Sequence, residues 1–129
     1  ENRYRMILNF GHTFGHSIET LTNYTEYLHG EALAIGMVQA AWLSVETGLC
    51  TEDVPMRITS LLKKIGLPTQ PPNLKPKDII KSMYYDKKTS HNKLRFILAK
   101  DIGSIEIVDD VLEIPIKTVL EKNNLKKFD

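Results

Sequence analysis

With 129 residues, 42% of them hydrophobic and 26% charged, the chain has the composition of a water-soluble globular domain with one core. Its net charge of +1, with no basic block, argues against nucleic acid as the main partner, and the apolar run from Ala32 to Val45 is too short and interrupted to cross a membrane. The single cysteine, Cys50, excludes an internal disulfide, fits a reducing cytoplasmic setting and reads as a small packing residue; no signal peptide is visible.

Helical periodicity runs from Glu1 to about Tyr24, with a break expected near Asn9–Gly11. The opening at Glu1, already inside an amphipathic pattern, is what a domain excised from a longer protein would show. At about 100° of rotation per residue, Glu1, Arg5, Asn9, His12, His16 and Glu19 fall within roughly 80° of one another. Ile7, Phe10, Phe14, Ile18 and Leu21 take the opposite, apolar face. A solvated helix edge is one reading of the polar seam. An Arg, an Asn and two His in register instead favour a site, because these residue types bind anions and metals. Gly11 and Gly15 lie beside the seam. Glycine inside a helix costs about 1 kcal/mol against alanine, so the pair predicts close approach of another backbone or of a ligand.

Asn23–Leu28 reads as a connection, and a second helix is predicted from about Gly30 to Thr47. It is apolar on nearly every face, as a central helix buried on all sides would be. Its small-residue line Ala32, Gly36 and Ala40 would accept the Gly11/Gly15 face, and Gly48 would stop it. A third helix follows Thr51 as N-cap, with Val54, Ile58, Leu61, Leu62 and Ile65 as its apolar stripe and Gly66 and Pro68 as its end. Pro68–Lys75 reads as an extended surface loop. Pro76 and Asp78 open a fourth helix that runs to about Lys87, with Ile79, Ile80 and Met83 inward.

Periodicity then changes to two. Leu94, Phe96 and Leu98, and later Ile105 and Ile107, mark the inward positions of a β-hairpin turned at Asp101-Ile102-Gly103. A last helix covers about Ile114 to Asn123, with Ile116, Val119 and Leu120 inward. The fold expected is mainly α, a helical bundle with a small β-hairpin near the C-terminus. No Gly-rich strand–turn–helix fingerprint occurs, so no nucleotide fold is expected.

His29 opens the second helix in Leu28-His29-Gly30-Glu31. A helical hairpin would carry it back to the seam, where His12 and His29 could ligate one metal; two His and a carboxylate form a common catalytic zinc set. His12 and His16, four apart, are a second possible pair, although the adjacent Glu of a zinc peptidase is missing. The plainer reading makes His29 a polar residue near helix donors. Glu31 suits a cap or a support for the ligands. Lys87 and Lys88, at the end of Asp86-Lys87-Lys88, are either favoured by the helix C-terminus or poised to close on an anionic substrate. His91 is given no role.

Arg5-x-x-Leu8-Asn9-Phe10-Gly11-His12-Thr13-Phe14-Gly15-His16-x-Ile18-Glu19, then Leu28-His29-Gly30-Glu31-Ala32-x-Ala34-Ile35-Gly36-Met37, resembles the 3-dehydroquinate synthase family. Asp86-Lys87-Lys88, Lys93-Leu94-Arg95-Phe96 and Asp101-Ile102-Gly103 extend the resemblance over essentially the whole chain, as the C-terminal helical domain of that enzyme. The resemblance implies conversion of 3-deoxy-D-arabino-heptulosonate 7-phosphate to 3-dehydroquinate with release of phosphate, in the shikimate pathway. It implies NAD held by an N-terminal domain, and a divalent metal, zinc or cobalt, held by His12, His29 and a Glu of that N-terminal domain. By position in the motif, Asn9, His16 and a lysine of Lys87/Lys88 surround the substrate's phosphate, Arg5 contacts substrate anions, and Glu1 matches an active-site carboxylate, so His16 and Glu1 are the catalytic candidates. Arg3 stands where many members have Gly. The partners implied are a sugar phosphate, the chain's own N-terminal domain and a second copy in a homodimer. The isolated chain is expected to be inactive, to bind no NAD and to bind zinc weakly. The alternatives are a related sugar phosphate cyclase, such as 2-deoxy-scyllo-inosose synthase, and a non-catalytic helical interaction module.

Overall fold

A computed structural model describes residues 3–86 and 94–126. In chain order its elements are α1 (Arg3–Met6), a 3-10 turn (Ile7–Asn9), α2 (His12–Leu21), α3 (His29–Glu46), α4 (Asp53–Lys64), α5 (Pro76–Asp86), β1 (Leu94–Asp101), β2 (Ser104–Val111) and α6 (Glu113–Lys126). This is the expected mainly helical architecture with a two-stranded antiparallel sheet near the C-terminus. No helix among the described residues is long and apolar enough to cross a membrane.

The central helix is α3. It packs on α2, α4, α6 and β1, and its buried residues run from Ala32 to Ser44 on every side. Glu31 caps it: the Leu28 backbone N–H donates to the Glu31 carboxylate at 2.9 Å. At its other end Gly48 takes φ +84, and the Leu49 N–H returns to the Ser44 carbonyl at 2.9 Å, closing the helix in the left-handed conformation that glycine supplies.

The first helical stretch is not one straight helix. Phe10 is extended, at φ −58 and ψ 125, and Gly11 is left-handed, at φ +85. The break lies where it was expected, but it is sharp enough to remove Arg5 and Asn9 from the helix that carries His12, His16 and Glu19. The helical wheel over residues 1–19 is therefore corrected: only its second half is a single face. Its apolar side divides the same way, with Ile7 39% exposed while Phe14 and Ile18 are fully buried.

α2 and α3 meet backbone to backbone, as the small residues predicted. A methyl group on Gly36 would lie 2.7 Å from the Gly15 nitrogen and would also strike the Gly11 carbonyl oxygen. One on Gly15 would lie 3.0 Å from the Ala32 carbonyl oxygen. Gly11 therefore packs beside Gly36 and Met37, and Gly15 beside Ala32 and Leu33, so the two helices run antiparallel.

The main core joins Phe14, Leu43, Met83, Leu94, Phe96, Leu98, Ile116, Val119 and Leu120. Phe14 and Phe96 stack at 5.3 Å between centroids, fastening α2 to β1. Ser44 ties α3 to the same strand: its hydroxyl accepts the Ala99 N–H at 2.9 Å and donates to the Ala40 carbonyl at 2.8 Å. β1 is buried on both faces from Phe96 to Ala99, where simple alternation predicted one. In β2 the residues Ile105 and Ile107 are only half-buried.

Three smaller expectations are also corrected. Glu52, not Thr51, precedes α4, and it makes no side-chain cap bond. Leu61 and Ile65 are 59% and 62% exposed, so Val54, Pro55 and Leu62 form the buried side of α4. The proline loop is anchored rather than wholly superficial, because Thr69 and Pro71 are buried. Cys50 is half-buried, and burial first, with Asp101 second, pushes its thiol above the ordinary range.

Candidate active site

A cleft of about 500 Å³ opens along α2. Asn9, His12, Thr13, His16 and Glu19 form one wall, His29 and Leu33 come from α3, and Met6, Met83, Arg95 and Ile97 complete it. The antiparallel α2–α3 packing makes this possible. Gly15 against Ala32 puts the start of α3 beside the C-terminal half of α2, so His29 returns to the polar face seventeen residues after His12.

The imidazole rings of His12 and His29 stand 6.0 Å apart between centroids, at 85° to each other. His29 Nδ1 lies 2.9 Å from Glu19 Oε2. The two partners differ in burial: the Glu19 side chain is 8% exposed and that of His29 is 64% exposed. His12 is pushed below the ordinary histidine range, chiefly by burial and next by the nearby His29, with a smaller push from His16; Glu19 opposes the shift. A neutral His12 keeps a ring nitrogen lone pair at neutral pH.

This donor set fits a divalent metal. Two imidazoles sharing one tetrahedral cation at about 2.0–2.1 Å would have centroids about 5.3 Å apart, and the observed pair, at 6.0 Å, is within an ångström of that. The set is also incomplete: among the described residues no three His, Cys, Asp or Glu side chains gather around one point. His12 and His29 could thus supply two ligands, and a third would come from elsewhere.

Of the other expected site residues, Asn9 and His16 line the cleft, and both are exposed. Arg5 is exposed on α1 and is not part of this lining, although its neighbour Met6 is. Glu1, Lys87 and Lys88 lie outside the described residues.

Two cleft residues had no role assigned from the sequence. Glu19 was only one member of the seam; its bond to His29 depends on how the helices pair. Arg95 alternates with the inward Leu94 and Phe96, which puts it on the other face of β1. That face looks into the cleft rather than into open solvent. A bulge explains its anchoring. β2 takes three steps from Val108 to Val111 while β1 takes two from Leu94 to Phe96, and Asp110 is left-handed, at φ +62. The bulge turns Asp109 toward the Arg95 Nε, which donates to its carboxylate, and Arg95 Nη1 reaches the Met6 sulfur at 3.6 Å. The Thr13 hydroxyl, at 3.5 Å from the Arg95 carbonyl, joins α2 to this strand.

Residues 1–89 match the family described as 3-dehydroquinate synthase C-terminal. The chain belongs to that family. It is 48% identical to the 3-dehydroquinate synthase of Desulforamulus reducens over 123 residues, which is 95% of this chain and 34% of the relative. The 3-dehydroquinate synthase of a Sulfurovum species is also 48% identical, over 92% of this chain and 34% of its own length. The chain thus spans about a third of the curated relatives it matches. Among solved structures, 2-epi-5-epi-valiolone synthase from Streptomyces hygroscopicus, with NAD+ and Zn2+ bound, superposes with a TM-score of 0.81 at 28% identity over 98% of this chain and 35% of that one. A 2-deoxy-scyllo-inosose synthase, complexed with carbaglucose-6-phosphate, NAD+ and Co2+, superposes at 0.77 with 31% identity over 91% of this chain and 33% of that one.

Proposed function

We propose that this chain is the metal- and substrate-binding half of a 3-dehydroquinate synthase, acting with an NAD-binding half to convert 3-deoxy-D-arabino-heptulosonate 7-phosphate to 3-dehydroquinate and phosphate. The observation that carries the reading is the convergence of His12 and His29 in a polar cleft. The 48% identity to enzymes of that name supports the substrate assignment. The reaction belongs to the shikimate pathway, and a cytoplasmic setting suits it.

In this reading His12 and His29 hold the divalent metal, zinc or cobalt, with a carboxylate from the NAD-binding half as third ligand. When bound, the metal and NAD supply polarisation of a substrate hydroxyl and reversible hydride acceptance. This chain's own residues hold and neutralise the rest of the substrate. Asn9 and His16, which line the cleft with His12, take the phosphate with hydrogen-bond donors, and the lysines at 87 and 88 add charge. Arg5, outside the cleft lining, meets a substrate anion only when the partner half is in place, and Glu1 contributes an active-site carboxylate. His16 is the donor placed to steady the phosphate as it leaves, and a second copy of the whole enzyme completes a homodimer.

The assembled enzyme should eliminate phosphate from the heptulosonate phosphate in a metal- and NAD-dependent manner, detected as released phosphate together with 3-dehydroquinate. The isolated chain should do neither and should bind zinc weakly. A second reading, a related sugar phosphate cyclase, is favoured by the 31% identity to 2-deoxy-scyllo-inosose synthase. Supplying a hexose 6-phosphate in place of the heptulosonate separates them: cyclisation of the hexose phosphate alone would overturn the first reading. A non-catalytic helical module would leave the paired imidazoles without a task, and absence of an NAD-binding half from the parent coding sequence would favour it; full activity in His12→Ala would instead refute the ligand assignment.

A further inference from the structure

Glu19 stands out among the polar residues of the cleft because it is a carboxylate with only 8% of its side chain exposed. Burying a carboxylate costs several kcal/mol unless charge-assisted hydrogen bonds replace its water. The bond that does so here is to His29 Nδ1, at 2.9 Å. Glu19 is seven residues beyond His12, two turns along the same face of α2, and it meets His29 because the glycine-lined contact holds α3 antiparallel to α2.

We infer that Glu19 is a positioning residue: its carboxylate accepts the Nδ1–H of His29, fixes that tautomer and ring orientation, and leaves Nε2 as the atom offered to a divalent cation shared with His12. The inference rests on the metal reading above and deepens it. One feature of His29 needs such a device. Its ring is 64% exposed, so packing alone does not hold it. A ring with one nitrogen satisfied by a carboxylate presents the other as a ligand, and such partners govern ligand geometry and basicity.

The test is zinc affinity of the assembled enzyme, titrated with zinc alone, in Glu19→Gln, His29→Ala and the double variant. Gln matches Glu in shape but can donate as well as accept, so the tautomer is no longer dictated. Glu19→Gln should weaken zinc binding about tenfold or more, yet change it by less than about twofold in the His29→Ala background, as coupled neighbours do. Nitrogen-15 shifts of the imidazoles should report an Nδ1–H ring at His29 in the metal-free protein and its loss in Glu19→Gln. If Glu19→Gln binds zinc normally while His29→Ala does not, the positioning role is overturned and the metal reading stands. An equal loss in both backgrounds would make Glu19 a general structural group and also overturn the inference. If His12→Ala and His29→Ala both bind zinc as the parent does, the metal reading itself has failed.

Discussion

Two regions furnish the cleft, and they hold their side chains by different means. The α2–α3 contact presents His12, His16 and His29 from backbones pressed together at Gly11, Gly15 and Gly36. The β1–β2 hairpin presents Arg95 from an exposed surface, through an ion pair whose two members are each 47% exposed. Backbone contact in a close-packed interface leaves no freedom to slide. An exposed pair is screened by salt and loses side-chain entropy in forming, so it positions weakly. The cleft thus has a rigid wall and an adjustable one; in the function proposed here the first fixes a metal and the second meets a substrate.

The largest expected effect tests the rigid wall directly. If His12 ligates the metal as proposed, His12→Ala in the assembled enzyme should lower metal-dependent turnover by about a thousandfold or more, because loss of a metal ligand removes several kcal/mol of charge stabilisation; steady-state kinetics across a zinc titration would show it. Gly36→Ala should separate α2 from α3, since its methyl meets the backbone of Gly11 and Gly15 rather than a side chain that could move. Overpacking of this kind costs about 3 kcal/mol, read as a lower urea midpoint, and it should weaken zinc binding although no ligand is touched. Normal zinc affinity in a folded Gly36→Ala protein would end the claim that backbone contact sets the ligands.

Ser44→Ala probes the join between the two regions. It strands the buried Ala99 N–H and should cost about 1–3 kcal/mol in chemical denaturation. The acid side of the stability profile tests His12. Its folded-state value lies below the usual 6.5, chiefly through burial and then through His29. The unfolded chain therefore binds the proton first. The contribution of His12 is intact above pH 6.5 and is lost as pH falls from there toward the lower folded value. His12→Gln should flatten that part of the profile. The smallest effect belongs to the adjustable wall: Asp109→Asn should change stability by less than about 1 kcal/mol, and the change should shrink further in high salt.

Much of this was legible in the residues. Helix period, the glycine and proline stops and the switch to alternation located the elements, because each reports a local backbone preference. The His12/His29 motif and the small residues at Gly11, Gly15, Ala32 and Gly36 also pointed to the α2–α3 pairing. The helical wheel failed where one residue changed the path: Gly11 at φ +85 redirects the chain, and Arg5 and Asn9 leave the helix that carries His12. The stripe on α4 failed because, among the described residues, no element packs over Leu61 and Ile65, which stay 59% and 62% exposed.

By itself, the sequence determined the helices, the hairpin, the family and the two imidazoles that a cation would need, since all of these depend on residue type and short-range spacing. Only the tertiary structure decided that Glu19 would be buried against His29 and that Arg95 would line the cleft. Those outcomes depend on how helices cross and where a strand bulges, and such geometry is fixed by contacts between segments far apart in the chain.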